Sequence, residues 1–196
     1  MFLIGHIGIS VGIIYVLAWV ISSRFSKDNT GKLSPWGIDF RIVIIAAILP
    51  DIIDKIIGMI ILKEEISNGR LFTHSIVIVS IFSILLLITT KIKINRGLQI
   101  PFYIIPVYLH LLLDRLWEDP HTLFWPIFRT SFPKLDMGIS DYFTILLSEP
   151  YIFVGEVLGG LIIITLFMRH KLFINIKFFS FLKEGRLSMV GIKKGK

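Results

Sequence analysis

The chain has 196 residues, 54% of them hydrophobic, and a mean hydropathy of +0.78. This composition favours one membrane-embedded bundle over several soluble domains, because a spanning helix needs about 20 apolar residues. Cysteine is absent, which excludes disulfides, cysteine-ligated zinc and thiol nucleophiles. The formal charge of +7 does not indicate a nucleic-acid partner, because eight of the 21 Lys and Arg residues lie in the last 28 positions. A basic tail after an apolar helix is typical of a topology signal at a membrane surface.

The apolar segments predict about five transmembrane helices in an all-α polytopic membrane bundle. In chain order they cover residues 2–22, 40–62, 71–90, 100–117 and 151–168. Pro50 is expected to kink or split the second segment, and Pro106 to bend the fourth. Gly155, Gly159 and Gly160 in the fifth segment are expected to allow close contact with another helix.

Basic residues in the loops indicate an orientation for these helices. Most of them lie after the first and third segments and in the C-terminal tail, which the positive-inside rule assigns to the cytoplasm. We therefore expect a multi-pass protein of the cell membrane with its N-terminus outside and its C-terminus in the cytoplasm. Residues 1–170 are predicted to form the membrane-embedded domain and residues 171–196 a basic cytoplasmic tail. Apolar residues of that tail are expected at the membrane interface: Phe178, Phe179, Phe181 and Leu182.

One pair of ionisable residues stands out inside the fourth apolar segment. His110 and Asp114 are four residues apart, so a helix places them about 40° apart on one face, within reach of the same point. A charged residue in a bilayer costs about 2.5–3.5 kcal/mol on insertion scales, so such residues usually mark a function. Imidazole and carboxylate are also the ligands that hold zinc and related divalent ions.

The predicted topology places further ionisable residues at the same depth, in the outer parts of their helices or just beyond them. Carboxylates gathered in one cavity of low dielectric repel each other unless a cation compensates them, which favours a divalent metal. The histidines favour zinc, with manganese as the alternative, over calcium. The residues concerned are His6, Asp51, Asp54, His74, His110, Asp114, Glu118, His121, Glu149 and Glu156.

Several of these residues also have simpler structural interpretations. His6 is of the kind often found at a membrane interface, and Asp51, directly after a proline, could be the N-cap of a restarted helix. Asp54 could pair with the lysine that follows it, Thr73 could cap a helix, and Glu118 could end its helix in water. The pair in the fourth segment has no evident capping or interfacial role, because both residues lie within the apolar segment.

Several short motifs resemble the YdjM-type family of inner-membrane metal-dependent hydrolases. They are His6 with Gly5 and Gly8, LPDIID at 49–54, RLFTHS at 70–75, HLLLD at 110–114 and LFWPI at 123–127. Their order and spacing over residues 1 to about 130 carry the resemblance. It implies an all-helical membrane fold and metal chemistry more firmly than it implies a substrate.

The order of these histidines and aspartates also resembles, more distantly, the all-helical zinc-dependent phospholipase C and P1 nuclease group. By this resemblance the metal ligands are His6, Asp51, His74, His110 and Asp114. That group also uses an N-terminal tryptophan amine and further His and Glu ligands. This sequence begins with Met1 and offers His121, Glu149 or Glu156 as possible substitutes for the further ligands.

Together these features predict a membrane-bound metal-dependent hydrolase that cleaves an ester or phosphoester of a membrane lipid. The metal would lower the pKa of a water molecule, which attacks the phosphorus or carbonyl centre. Asp54 or Glu118 is expected to act as general base or as the partner of a ligating histidine. Arg70 or Arg115 could pair with a phosphate. Two alternatives stay open: an ion- or proton-coupled membrane transporter, and a non-catalytic membrane protein whose polar residues only hold helices together.

Overall fold

The computed structural model describes residues 2–25, 38–93, 99–134, 144–145 and 147–187. Within these ranges the chain is all-α, as predicted, with seven α-helices. They are α1 Leu3–Phe25, α2 Phe40–Lys55, α3 Ile76–Lys93, α4 Ile100–Leu113, α5 Pro120–Leu123, α6 Pro150–Arg169 and α7 Asn175–Glu184. A π-helix over Ile56–Ile61 continues α2, and short 3-10 helices cover Phe72–His74 and Leu116–Glu118.

Two of these helices, α1 and α6, are long and apolar enough to cross a membrane, over Leu3–Ile21 and Pro150–Arg169. Only 11% of the apolar stretch of α6 is buried, whereas the core helix of a soluble protein would be mostly buried. Its exposed apolar surface therefore suggests contact with lipid. The apolar helices Ile76–Thr89 and Ile100–Leu113 are shorter. A helix of 14 residues, the length of α4, extends about 21 Å, against about 30 Å of hydrocarbon core, so the number of five spans stays a prediction.

Helices α1 and α6 contact each other through glycine. A Cβ atom on Gly8 would lie 2.1 Å from the carbonyl oxygen of Gly159, and a Cβ on Gly159 would lie 2.6 Å from Cα of Gly5. These separations leave no room for a side chain, so the contact predicted for Gly159 requires glycine. Glu156 joins the same helices, because its carboxylate accepts hydrogen bonds from the backbone N–H groups of Phe2 and Gly5 at 2.8 and 3.1 Å. Such N–H groups at a helix N-terminus lack partners within the helix.

Helix α2 continues through Pro50 and changes to π form only at Ile56, so the proline does not split it. Proline removes one hydrogen bond of the helix and turns nearby carbonyl groups outward. Two carbonyls of this region accept side-chain donors from other elements. His110 Nδ1 donates to Ala47 at 2.8 Å, and Thr73 Oγ1 donates to Pro50 at 2.9 Å. These two hydrogen bonds connect the helical turn around Pro50 to α4 and to the segment before α3.

The predicted tail contains α7, whose C-terminal end contacts the start of α2. The Arg41 guanidinium donates to the carbonyl of Leu182 at 2.6 Å and to both carboxylate oxygens of Asp39. These hydrogen bonds from Arg41 hold the pKa of Asp39 below its usual value. Phe181 packs against the core formed by α1, α2 and α4, while Phe179 is exposed. The segment therefore belongs partly to the folded bundle.

Gly159 and the adjacent Gly160 offer a matched test of the α1–α6 contact. We expect Gly159→Ala to lower the free energy of unfolding by about 1–3 kcal/mol, because the added methyl group overlaps backbone atoms of α1. Gly160→Ala should leave it unchanged or raise it by up to about 1 kcal/mol, since alanine favours the helix. Among the described residues, its Cβ would meet only Ile4 Cγ2, at 3.8 Å. Chemical unfolding in detergent measures both, and equal effects would contradict the contact.

Candidate metal centre

Polar residues from α2, α4 and the 3-10 helix before α3 meet at one end of the bundle. Asp51, His74, His110 and Asp114 are all buried, and one potential ligand atom from each lies within 4.8 Å of the others. The Nε2 atoms of His74 and His110 are 3.3 Å apart, and His74 Nε2 lies 3.6 Å from Asp114 Oδ2. Asp51 Oδ1 lies 3.7 Å from Nε2 of His74 and 3.9 Å from Nε2 of His110. Four residues predicted as ligands thus form one group, called the cluster below.

The size and chemistry of the cluster fit a divalent metal ion. Ligand atoms about 2.0–2.1 Å from a tetrahedral zinc ion lie roughly 3.3 Å from one another. The four separations given above run from 3.3 to 3.9 Å, and all the potential ligand atoms lie within 4.8 Å of one another, so the cluster is wider than that spacing. Two neutral imidazoles and two carboxylates also balance the charge of a dication. The four residues could therefore hold one ion.

Hydrogen bonds at the far ring nitrogens orient both histidines toward the cluster. A carbonyl oxygen only accepts, so His110 Nδ1 is the donor in its 2.8 Å bond to Ala47. His74 Nδ1 likewise donates to the carboxylate of Asp54 at 2.7 Å. A neutral imidazole that donates through Nδ1 carries its lone pair on Nε2. When both rings are neutral, the two Nε2 lone pairs therefore point into the same small volume, where a proton or a metal ion between them removes their repulsion.

Asp54 anchors the segment that carries His74. Its completely buried carboxylate accepts from the backbone N–H groups of Leu71 at 2.6 Å, Thr73 at 3.1 Å and His74 at 3.2 Å, besides the His74 ring. It binds the ring nitrogen that is turned away from the cluster. This is the geometry of a partner that orients a ligating histidine, one of the two roles predicted for Asp54.

His6 lies beside the cluster and is completely buried in α1. Its Nε2 is 3.1 Å from Oδ1 of Asp114, and its ring stacks on that of His110 with 4.0 Å between the centroids. If this contact is a hydrogen bond, it orients the carboxylate of Asp114. The distance of 3.1 Å is also close to the separation of two ligand atoms bound to one ion, so it fits His6 as a fifth ligand as well. The interfacial interpretation of His6 is wrong, and its role as a ligand stays a prediction.

Two basic side chains flank the cluster at its exposed edge. Lys55 Nζ lies 2.9 Å from Oδ2 of Asp51, and an Arg70 Nη2 atom lies 3.2 Å from Oδ2 of Asp114. Both basic side chains are close to half exposed, at 44% and 47%. Lys55 therefore pairs with Asp51 and not, as one alternative had it, with Asp54. Asp51 also lies inside α2, so it is not the N-cap of a restarted helix.

Helix α4 ends at the cluster, earlier than the apolar pattern predicts. Its last residue is Leu113, and Asp114 is the C-cap, with its N–H bonded to the His110 carbonyl at 2.9 Å. Arg115 follows in the left-handed conformation, with a φ of 54°. A carboxylate at a helix C-terminus is disfavoured by the helix dipole, which increases the need for a cation near Asp114.

The remaining candidates lie outside the cluster. Glu118 is half exposed and pairs with Arg115 in the turn after α4. Glu149 is the N-cap residue of α6, and His121 lies exposed in α5. Glu156 binds the N-terminal backbone of α1. Among the described residues, none of these four joins the group of potential ligands.

Comparison with protein families matches residues 1–180 to the family described as YdjM inner membrane protein. No curated protein and no solved structure is significantly similar to the chain. The matched range contains every residue of the cluster. The family description and the two long apolar helices both suggest a membrane location. The distant likeness to the phospholipase C group stays a prediction.

Removing a cluster residue should remove the metal. We expect His110→Ala and Asp114→Ala to reduce bound metal from about one ion per chain to a small fraction, because each deletes one of the four potential ligands. Asp54→Asn should instead weaken metal affinity by about 10–100-fold, since it disturbs only the orientation of a ligand. Elemental analysis of detergent-purified protein and competition with a zinc chelator measure the two effects.

His121→Ala is the control for this experiment, because His121 is an exposed histidine outside the cluster. It should retain the metal content of the wild type. Unchanged metal content in Asp114→Ala would exclude the cluster as the binding site.

Proposed function

The chain belongs to the YdjM inner membrane protein family, which confirms the resemblance of its motifs, and from this premise we propose a membrane-bound metal-dependent hydrolase. Its substrate would be a membrane lipid cleaved at an ester or phosphoester bond. The observation that carries the proposal is the buried group of Asp51, His74, His110 and Asp114. Two carboxylates and two imidazole lone pairs directed at one point form a site for a metal, with zinc preferred and manganese as the alternative.

In this proposal the residues around the cluster have separate tasks. His6 orients Asp114 or completes the ligand set, and Asp54 positions the ring of His74. A bound divalent ion supplies Lewis acidity, which polarises the scissile group and lowers the pKa of water. Glu118 is the proposed general base, because it is half exposed and lines one cavity together with Asp114. Asp54 is less suited to accept a proton, since its oxygens already accept four hydrogen bonds.

We propose that the cluster lies in the outer half of the membrane, with the N-terminus outside and the C-terminus in the cytoplasm. His6 is near the start of α1, while Asp51 and His110 are near the ends of α2 and α4, so α2 and α4 run toward the cluster and α1 runs away from it. The basic segment that contains α7 contacts the start of α2, the opposite end from the cluster. A cluster near one surface suits a lipid whose scissile bond lies at headgroup depth.

The apolar core weighs against the alternative of a transporter. A proton or ion path would require polar groups along the depth of the bundle. Where α1, α2 and α4 pack together beyond the cluster, the core is formed mainly by apolar side chains such as Ile14, Ala18 and Val43. A continuous polar path through these helices therefore has little support.

Hydrolysis can be tested with the zinc-loaded protein in vesicles that contain a panel of phospholipids and neutral glycerolipids. We expect mass spectrometry to detect hydrolysis products, chelation to abolish them and zinc to restore them. Asp51→Asn should lower the rate at least about 100-fold through loss of the metal. Glu118→Gln should lower kcat by about 10²–10⁴-fold with the metal retained, as removal of a general base does.

Lys63→Gln serves as the control, because it changes an exposed charge outside the cluster. It should leave hydrolysis unchanged. If a protein with a full complement of metal cleaves no lipid of the panel, the hydrolase proposal is refuted and a structural or transport role gains weight.

A further inference from the structure

Two cavities of different character adjoin the cluster. A polar cavity of about 350 Å³ is lined by Arg70, Asp114, Arg115, Glu118, Glu149 and Tyr151, among others. An apolar groove of about 480 Å³ is lined mainly by Phe2, Leu3, Ile52, Ile56 and Ile60, with Asp51 and Lys55 at its polar side. Asp114 lines the first and Asp51 the second, and both belong to the cluster. The two cavities therefore flank the same centre.

The polar cavity offers hydrogen-bond donors suited to a phosphate. The guanidinium of Arg70 has five N–H donors, its pair with Asp114 involves Nη2, and the side chain is nearly half exposed. Arg115 lies over the ring of Tyr151, 5.2 Å from its centroid, and pairs with Glu118. A planar guanidinium matches two oxygens of a phosphate better than any other side chain does. Arg70 combines this chemistry with a position next to the cluster.

The apolar groove runs between the start of α1 and the π-helix. Its side chains are exposed at 52% for Leu3, 45% for Ile56 and 72% for Ile60. Such a contiguous apolar surface next to a polar centre is typical of a site for the hydrocarbon part of a ligand. A π-helix is an uncommon element that is frequently found at functional sites.

We propose that the two cavities bind the two ends of one membrane phospholipid, with its phosphate against Arg70 and an acyl chain in the apolar groove. This inference rests on the proposed function and narrows its substrate from lipid esters in general to phospholipids. The polar cavity also contains Glu118 and Glu149, so a headgroup that carries an amine beside the phosphate complements both signs of charge. Phosphatidylethanolamine has this headgroup.

The variant Arg70→Met distinguishes binding of the lipid phosphate from binding of the lipid acyl chain. It should weaken binding of dioctanoyl phosphatidylethanolamine about tenfold or more, because it removes charge-assisted hydrogen bonds but keeps an aliphatic side chain. Binding of dioctanoylglycerol, which has the same chains and no phosphate, should not change. Arg70→Lys should recover part of the loss. Native mass spectrometry of detergent-purified protein measures bound lipid and shows any hydrolysis as a product mass.

A second pair of variants, Ile60→Asn and its control Ile61→Asn, tests the apolar groove. Ile60→Asn should weaken binding of both lipids, because it places an amide in the apolar groove. Ile61, on the same π-helix and 67% exposed, is not among the residues that line the groove, so Ile61→Asn should have no such effect. Lys63→Met is the corresponding control for Arg70, since Lys63 is exposed in the same connection and lines neither cavity.

Equal losses for the two lipids in Arg70→Met, or no loss for either, would overturn the proposal. If this variant does not fold, the wild type decides, because equal affinity for the two lipids contradicts a phosphate site. Native mass spectrometry measures lipid binding separately from lipid hydrolysis, so the proposed hydrolase activity and the proposed phospholipid site can be refuted independently. Phosphate-dependent binding without hydrolysis of any lipid refutes the proposed function alone. Hydrolysis of carboxylic esters without phosphate-dependent binding refutes only this inference.

Discussion

The burial of two carboxylates beside two imidazole lone pairs is the constraint on which the rest of the structure depends. Asp51 and Asp114 lie in a low-dielectric environment, where removing an ion from water costs several kcal/mol without a partner. The basic partners Lys55 and Arg70 reach them only from the exposed edge. Neutral His74 and His110 do not relieve the repulsion in the centre, because each uses its single N–H at the far side of the ring, and His6 reaches Asp114 but not Asp51. A cation between the four groups satisfies all of them at once.

The surrounding fold keeps these groups in place through backbone contacts rather than through the cluster itself. Asp54 gathers three backbone N–H groups of the segment 71–74, and the carbonyl of Ala47 fixes the ring of His110. The glycine contact between α1 and α6 brings their backbones close together, so that Glu156 can bind the first turn of α1. His6 is positioned by that same turn. Side chains held from outside in this way keep their positions whether or not an ion is bound, as a preorganised site requires.

The sequence placed the four residues of the cluster among ten ionisable residues at one depth, because an ionisable group in an apolar helix has few roles other than meeting a partner. The resemblance to the phospholipase C group reduced these ten to five candidate ligands, the four of the cluster and His6. The pairing of Lys55 with Asp51 also had a sequence signal, since residues four apart share a helix face. The end of α4 had none. The predicted apolar segment continues to Trp117, whereas the chain turns at Arg115, which has the left-handed conformation. Continuation of α2 through Pro50 had no local signal either, and the carbonyls of Ala47 and Pro50 bind donors from distant segments that local propensity does not contain.

Helix length adds a reason why the cluster has an open, polar edge. If α4 begins at one surface of the hydrocarbon core, its 14 residues end about 9 Å short of the other, given a rise of about 1.5 Å per residue and a core of about 30 Å. His110 and Asp114 would then lie below the headgroups. A shorter helix is accommodated by local thinning of the bilayer and by long basic side chains that extend toward the surface. The half-exposed Lys55 and Arg70 instead direct their charged ends at Asp51 and Asp114, so thinning of the bilayer is what brings the cluster to a polar edge.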